Sequence, residues 1–488
     1  MNVMPQIVRR TIYTVLLASI MATLATAQAR QVSNPIALPS DADIRKILAH
    51  RVATLAGQQD GIGIVVGLIG PQGRRVIFYG HLNQGDPRPL NGDTVFEIGS
   101  VGKVFTALLL ADMVQKAEVA LTDPVAKYLP AHVKVPQRNG RQITLLDLVT
   151  HTSGLPFMPD EVPVIDELAA RKYGAQQLYQ FLARYELPRD PGTEWDYSNL
   201  DYWLLGQALA SRVGTDFQSL LRTRVIAPLK LQSTDFPLPL SPKLKARLAL
   251  GHNAILQPAP DFYSTSIYAA VGPEAGGLVS SVNDLLMLLS VAMGYERSPL
   301  ALSMASMLNT RRPIDGSEQA LGWVVTGKGE DELVTHEGFT WGYASYIAWE
   351  PKTRVGVVVL SNQLTAIADI GRHLLKPSTP LEPLTVTRHT EINLDSKILD
   401  ACAGHYDAKE EGAFLIVREP NFLTMQMPVG WGLPKFRLRP ESSRDFFVAE
   451  LPVRVTFQTD SNGYVNGILV YPAHGQHTLL ASRIPSQK

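Results

Sequence analysis

The sequence has almost no cysteine. Its one such residue, Cys402, excludes an intrachain disulfide and any metal site built from cysteines. Nor is there an excess of charge of either sign: 45 Lys and Arg stand against 45 Asp and Glu, and no basic stripe runs through the chain. Nothing in that balance points to nucleic acid. There is no internal repeat and no low-complexity tract. Beyond the first 27 residues no apolar run is long enough to cross a bilayer. What remains is globular material. A hydrophobic fraction of 45% and a charged fraction of 18% over 488 residues imply a sizeable core and more than one domain.

Residues 1–27 have the layout of a secretory signal. Arg9-Arg10 form a charged start, Ile12 to Leu24 an apolar centre, and Ala25-Thr26-Ala27 a small-residue cleavage site, with Ala27-Gln28-Ala29 a second option. The arginine pair also resembles a twin-arginine signal. No cysteine follows for lipidation, so the expected mature protein is exported, periplasmic or secreted, and soluble.

Taken in order, Ser40 to Asp43 cap a helix running to about Ala56, with Ile44, Ile47, Leu48 and Val52 on one face. Ile62 to Ile69 and Arg75 to Tyr79 form a hairpin across Pro71-Gln72-Gly73, and Thr94 to Phe96 reads as a short strand. From Thr106 to about Leu250 the pattern is helical, broken by loops, and another helix follows Ser280-Ser281. Leu333 to Thr335, Tyr343 to Trp349 and Arg354 to Leu360 are strands. Strands at both ends with helices between them predict one sheet assembled from both termini, with a helical insertion. Pro377, Pro380 and Pro383 mark a linker. Beyond about Leu394 the period changes to two, as in Leu423, Met425, Met427 and in Val453, Val455, Phe457, with a turn at Asp460 to Gly463. The expected organisation is therefore a signal at 1–27, a main domain at 28–374, a linker at 375–393 and an all-β domain at 394–488.

The chemistry centres on Phe96 to Thr106. Gly99 precedes Ser100, and a helix from Val101 to about Lys116, with Val104, Leu108, Ala111 and Val114 apolar, puts Ser100 at its start and Lys103 one turn on. A lysine amine there reaches the serine hydroxyl, and the positive end of the helix favours an oxyanion. Two further elements can converge on this pair: Tyr197-x-Asn199 in a turn-rich loop and His336-x-Gly338 on a strand.

In this order, the three motifs resemble those of the penicillin-recognising serine hydrolases, most closely the class C β-lactamase and peptidase S12 group with its D-Ala-D-Ala carboxypeptidases, D-aminopeptidases and esterases. Asp123-Pro124-Val125, Tyr128-Leu129-Pro130, Leu145 to Pro156, Gly276-Gly277-Leu278 and Gly356 to Asn362 agree as well, so the resemblance covers roughly residues 45–370. It implies an α/β (α+β) fold, a β-lactamase/transpeptidase-like antiparallel sheet flanked by helices. It makes Ser100 the nucleophile, Lys103 the acceptor of its proton and Tyr197 the acid/base near the leaving group. Asn199, His336 and Gly338 would then bind substrate, with the N–H groups of Ser100 and Phe339 forming the oxyanion hole. It calls for no cofactor and no metal, and for a small-molecule or short-peptide substrate. Leu399 to Asp407 at the head of the terminal domain is similar to the lipocalin-like barrel appended to many such hydrolases.

Departures from the pattern narrow the function. Gly102 stands where Ser or Thr is common, His-Glu-Gly replaces the Lys-Thr-Gly of efficient β-lactamases, and Phe157-Met158 occupy the place of a substrate-binding Gln. The implied enzyme is a poor β-lactamase acting on an ester, amide or peptide; the alternative is a sensor or pseudoenzyme that acylates without turnover. A neutral His336 is expected to offer an uncharged donor, and Glu337 to point to the opposite face of the strand. His151 is read as a structural histidine. Trp323, Trp341 and Tyr343 fit a cleft wall or the core equally well. His474 and His477 are the one spaced histidine pair, read as exposed rather than metal-binding.

Overall fold

The structure, a computed structural model, describes residues 38–56, 61–159, 162, 172–253, 256–258, 272–365, 367–384, 389–428, 435–449, 453–471 and 478–484. The signal-like segment and the His474/His477 pair lie outside them. From Pro39 onward the chain is one compact unit.

The hairpin forms where the apolar runs flank Pro71-Gln72: β1 (Gly63–Gly70) and β2 (Gly73–Gly80) pair antiparallel. Next come β3 (Val95–Glu97), the two-residue pair β4 (Gln137–Arg138) and β5 (Arg141–Gln142), and β6 (Val279–Ser281). Then follow β7 (Arg312–Ile314), β8 (Ser317–Gln319), β9 (Val324–Thr326), β10 (Leu333–Phe339), β11 (Ala344–Glu350) and β12 (Val355–Ser361). The main sheet runs β2-β1-β12-β11-β10-β9-β8-β7, so the first strand of the domain lies beside its last. The sheet drawn from both ends of the domain is there as expected. Thr94 to Phe96 does not join it; β3 pairs with β6 instead.

Alternation sorts the helices. The helix Val282–Ala292, started by Ser281 accepting from the Asp284 N–H, lies against Gly67 and Gly356, whose missing side chains make room for Val282, Leu286 and Leu289. The opposite face of the sheet carries Tyr346 and Val357, against which Gly371 of the helix Ala368–Leu375 packs. On that side a buried ion pair between Arg51 and Asp369 ties the first helix, Asp41–Ala56, to the last.

The helix Gly102–Gln115 carries the serine motif on the Val282–Ala292 side, and it is buried on every face from Gly102 to Met113. The sequence pattern suggested a one-sided helix. Its surroundings, the helical insertion on one side and the sheet on the other, leave it no solvent face.

The C-terminal strands are β13 (Gly404–Asp407), β14 (Ala413–Arg418), β15 (Leu423–Gln426) and β16 (Lys435–Pro440), then β17 (Asp445–Phe447), β18 (Arg454–Thr459), β19 (Val465–Tyr471) and β20 (Leu479–Ile484). Each pairs antiparallel with the next and β13 pairs with β20, closing a separate eight-stranded barrel that leaves no edge unpaired. Alternate residues fill it. Phe457 meets Tyr406 at 6.0 Å and Phe446 at 5.1 Å, ring edge to ring face.

Candidate active site

Three backbone segments meet at Ser100. The chain leaves β3, turns at Gly99 with φ +48°, and passes Ser100 in a single 3-10 turn before the helix Gly102–Gln115. A Cβ on Gly99 would lie 2.7 Å from the nitrogen of Phe339. One on Gly338 would lie 2.1 Å from the Ile98 carbonyl oxygen and 3.0 Å from the nitrogen of Ser100. Only glycine permits that approach, and it puts the end of β10 against the serine turn. Ser345 on β11 locks the arrangement by donating to the Ile98 carbonyl at 2.7 Å. At Gly102, the departure from the family pattern, the fit is only tight: a Cβ there would meet Cα of Gly276 at 3.3 Å.

Lys103 is fully buried beneath this turn. Its Nζ lies 3.0 Å from Ser100 Oγ, 2.6 Å from Asn199 Oδ1 and 2.6 Å from the carbonyl of Ala275. Tyr197 donates to Ser100 Oγ at 2.7 Å, and Lys103 Nζ sits 4.8 Å above its ring. Ser198 holds Tyr197 and Asn199 in place. It caps the helix Asn199–Val213 by accepting from the Asp201 N–H, and its hydroxyl donates to Pro156 at 2.6 Å. Ser100, Lys103, Tyr197 and Asn199 are thus brought together, with Gly338 and Phe339 alongside.

Burial drives the Lys103 amine well below its ordinary value, against the charge of Asp201. Burial also pushes the Asp201 carboxyl well above its ordinary value, which favours its neutral form and weakens that opposition. A neutral amine has two N–H groups and one lone pair. The Ala275 carbonyl and Asn199 Oδ1 can only accept, so they take both hydrogens and leave the lone pair for the hydroxyl of Ser100.

His336 shares a strand face with Gly338, two residues away, and so looks toward the serine turn. Its Nδ1 is 2.7 Å from the carbonyl of Glu337. A carbonyl only accepts, so Nδ1 carries the hydrogen and the neutral ring offers a lone pair at Nε2. Burial above all pushes its pKa down to about 4. This corrects the expectation of a donor: the ring is uncharged as predicted but presents an acceptor. Glu337 does face the other way, toward Arg372 at 3.2 Å.

His151 is structural in its contacts. Fully buried with φ +57°, it accepts the Ser198 N–H at Nδ1 and lies 4.5 Å from the Tyr197 ring; burial holds its pKa well below 6.5. Trp323, Trp341 and Tyr343 are buried and belong to the core. Among the described residues, Trp195, in the Tyr197 loop, is 37% exposed and Phe339 is 39% exposed. Sequence reasoning missed Trp195, although its place two residues before Tyr197 was a usable signal. It also missed Ala275, whose part is played by a backbone carbonyl that no residue type reveals. Among the described residues no cluster of three or more His, Cys, Asp or Glu is placed to hold a metal.

Next to Ala275, Glu274 is buried with Gln207 donating to it at 2.7 Å, and burial raises its pKa from 4.5 to about 8. Between those values the folded chain holds a proton that the unfolded chain has lost, so stability falls as pH rises from about 4.5 to 8 and then levels off. Glu274→Gln is expected to remove that slope, gaining on wild type across the same window. Melting temperatures at pH 5, 7 and 9 check it; a constant difference between the two proteins at all three would refute it.

Sheet, helical insertion and serine turn together define the class of penicillin-recognising serine hydrolases. Residues 44–374 match the family described as Beta-lactamase, and the chain belongs to that family. It is 28% identical over 356 residues to a beta-lactamase of Pseudomonas fluorescens, covering 66% of this chain and 94% of that protein. It is 29% identical over 313 residues to the D-alanyl-D-alanine-carboxypeptidase/endopeptidase AmpH of Escherichia coli K12, covering 59% and 77%. Among solved structures, a class C beta lactamase from Rhodobacter sphaeroides aligns with TM-score 0.57 at 25% identity over 70% of this chain and 99% of that one. The beta-lactamase/D-alanine carboxypeptidase of Pseudomonas syringae, at TM-score 0.60 and 22% identity over 70% and 100%, shares the fold. No helix among the described residues is long and apolar enough to cross a membrane.

Proposed function

We propose that this protein is an exported serine hydrolase that forms an acyl-enzyme on Ser100 and releases it to water, acting on a small ester, amide or short peptide without a carboxylate beside the scissile bond. The observation that carries this reading is the buried Lys103 amine, its two hydrogens committed and its lone pair directed at Ser100 Oγ. Lys103 takes the serine proton as Oγ attacks the substrate carbonyl. The N–H groups of Ser100 and Phe339 hold the oxyanion, and Tyr197 relays the proton to the leaving group. Water then repeats the sequence on the acyl-enzyme. Residues 28–374 form the hydrolase domain on this reading, joined by a linker at 375–393 to a lipocalin-like domain at 394–488.

A fluorophosphonate and a fluorescent penicillin, each followed over time, test the mechanism. Labelling at Ser100 with turnover of the penicillin or of a simple ester supports the hydrolase. Permanent penicillin labelling with no ester or amide turned over would leave a sensor. The names of the relatives put β-lactams and D-alanyl peptides in the first substrate panel beside short-chain esters.

The uncharged acceptor of His336 supports the limit on substrate charge, since a carboxylate meeting a lone pair gains nothing. His336→Lys is expected to raise kcat/KM for carboxylate-bearing substrates about tenfold or more, since it supplies a charged hydrogen bond where the wild type makes none. Neutral esters should change little. Equal loss on both classes would instead place His336 in the chemistry itself.

A further inference from the structure

Among the described residues, the barrel meets the turn that ends the active-site strand through Phe436. β10 and β11 are joined by a two-residue tip, Trp341-Gly342, closed by the Thr340 N–H donating to the Tyr343 carbonyl at 3.0 Å. Phe339 is the last residue of β10, just before that closing pair. On the side of the main domain the tip is pinned twice. The His252 N–H donates to the Gly342 carbonyl at 3.1 Å, and the Tyr343 hydroxyl donates to the Ala249 carbonyl at 2.6 Å.

Trp341 is pinned differently. It is only 8% exposed, and its indole N–H has no hydrogen-bond partner among the described residues. Packing alone therefore holds the ring, and part of that packing comes from the barrel: Phe436 meets it at 5.6 Å with the planes at 74°, edge to face. Phe436 alternates with Leu438 and Pro440 on the buried face of β16, so Trp341 sits against the end of the barrel filling.

We infer that Phe436, acting through Trp341, is a positioning residue for the Phe339 end of the active-site strand, so that the barrel is part of the catalytic apparatus. The inference rests on the reading of Ser100 as nucleophile and the Phe339 N–H as oxyanion donor. A two-residue tip is short enough that a shift of Trp341 is felt at the peptide of Phe339, and an oxyanion donor works only within a few tenths of an ångström of its place. Phe436 is buried away from solvent, so any effect on the chemistry passes through Trp341 and not through contact with substrate.

Phe446 supplies the control. It is a phenylalanine of the same barrel, equally buried, packed on Phe457. In the full-length protein, with p-nitrophenyl acetate as the probe, Phe436→Ala is expected to lower kcat on the order of tenfold while KM stays within about twofold. Phe446→Ala should lower the melting temperature comparably and leave kcat within about twofold. Equal kcat in wild type and Phe436→Ala, or equal loss in both variants, overturns the inference. Should either alanine variant fail to fold, Phe436→Leu and Phe446→Leu are compared in the same way, with a severalfold kcat loss expected only in the first. All variants are first labelled at Ser100 with a fluorophosphonate. A wild type that does not label refutes the nucleophile itself, whereas a labelled set with unchanged kcat refutes only the barrel's part.

Discussion

Ser100→Ala is expected to lower kcat at least about a thousandfold and to leave the fold intact. The hydroxyl receives hydrogen bonds from Tyr197 and faces the lone pair of Lys103, so every step of acyl transfer passes through that oxygen. The alanine keeps the methylene within the turn, and the close contacts of Gly99 and Gly338 are backbone contacts that the change does not touch. Melting temperature should therefore stay near wild type while ester hydrolysis disappears. A folded mutant with near-normal turnover would end the mechanism.

Lys103→Met carries the second large effect. Methionine matches the length of the lysine stem, fills the buried site and removes the base, so kcat should fall by about a hundred- to ten-thousandfold. Stability should move the other way. In the folded chain burial disfavours the charged amine, whereas the unfolded chain keeps it protonated up to about pH 10.5. Wild-type stability therefore rises with pH between the depressed folded value and 10.5. The methionine protein, free of that penalty, should gain most over wild type at low pH and lose the advantage toward pH 10.5. Chemical denaturation across that range, with activity measured in parallel, gives both signs. A variant less stable at every pH would mean that the hydrogen bonds of Lys103 to Asn199 and Ala275 outweigh its desolvation.

Much of this was legible because it depends on local rules. The Ser281 cap, the Pro71-Gln72 hairpin and the alternation of Leu423 with Met425 each declare themselves within a few residues. The serine, lysine, tyrosine and asparagine were legible as motifs, and their convergence followed from a resemblance rather than from spacing. The strands β7 to β9 were not legible. They are three residues each, β7 and β8 together mostly polar or charged, and they form as an extension in which β10 pairs β9, β9 pairs β8 and β8 pairs β7. The hydrogen on His336 was hidden for another reason: its place is set by the carbonyl of the next residue, a group that every residue carries. Trp195 and Trp341 look alike as letters, and only the fold decides that one is part-exposed beside Tyr197 and the other meets the barrel.

The pairing of β1 with β12 has a consequence in time. Ile64 lies opposite Ser361, so the sheet joins residues about 300 positions apart. Loop-closure entropy for such a contact is met only when nearly the whole main domain is available, which makes the sheet a late event in folding. The turn and helix carrying Ser100 and Lys103 form locally, but Phe339, the oxyanion donor proposed above, arrives on β10 beside β11, both more than 200 residues later in the chain. On the proposed mechanism, a growing chain therefore carries Ser100 without its oxyanion donor, and activity waits until the last strand of the sheet closes against the first.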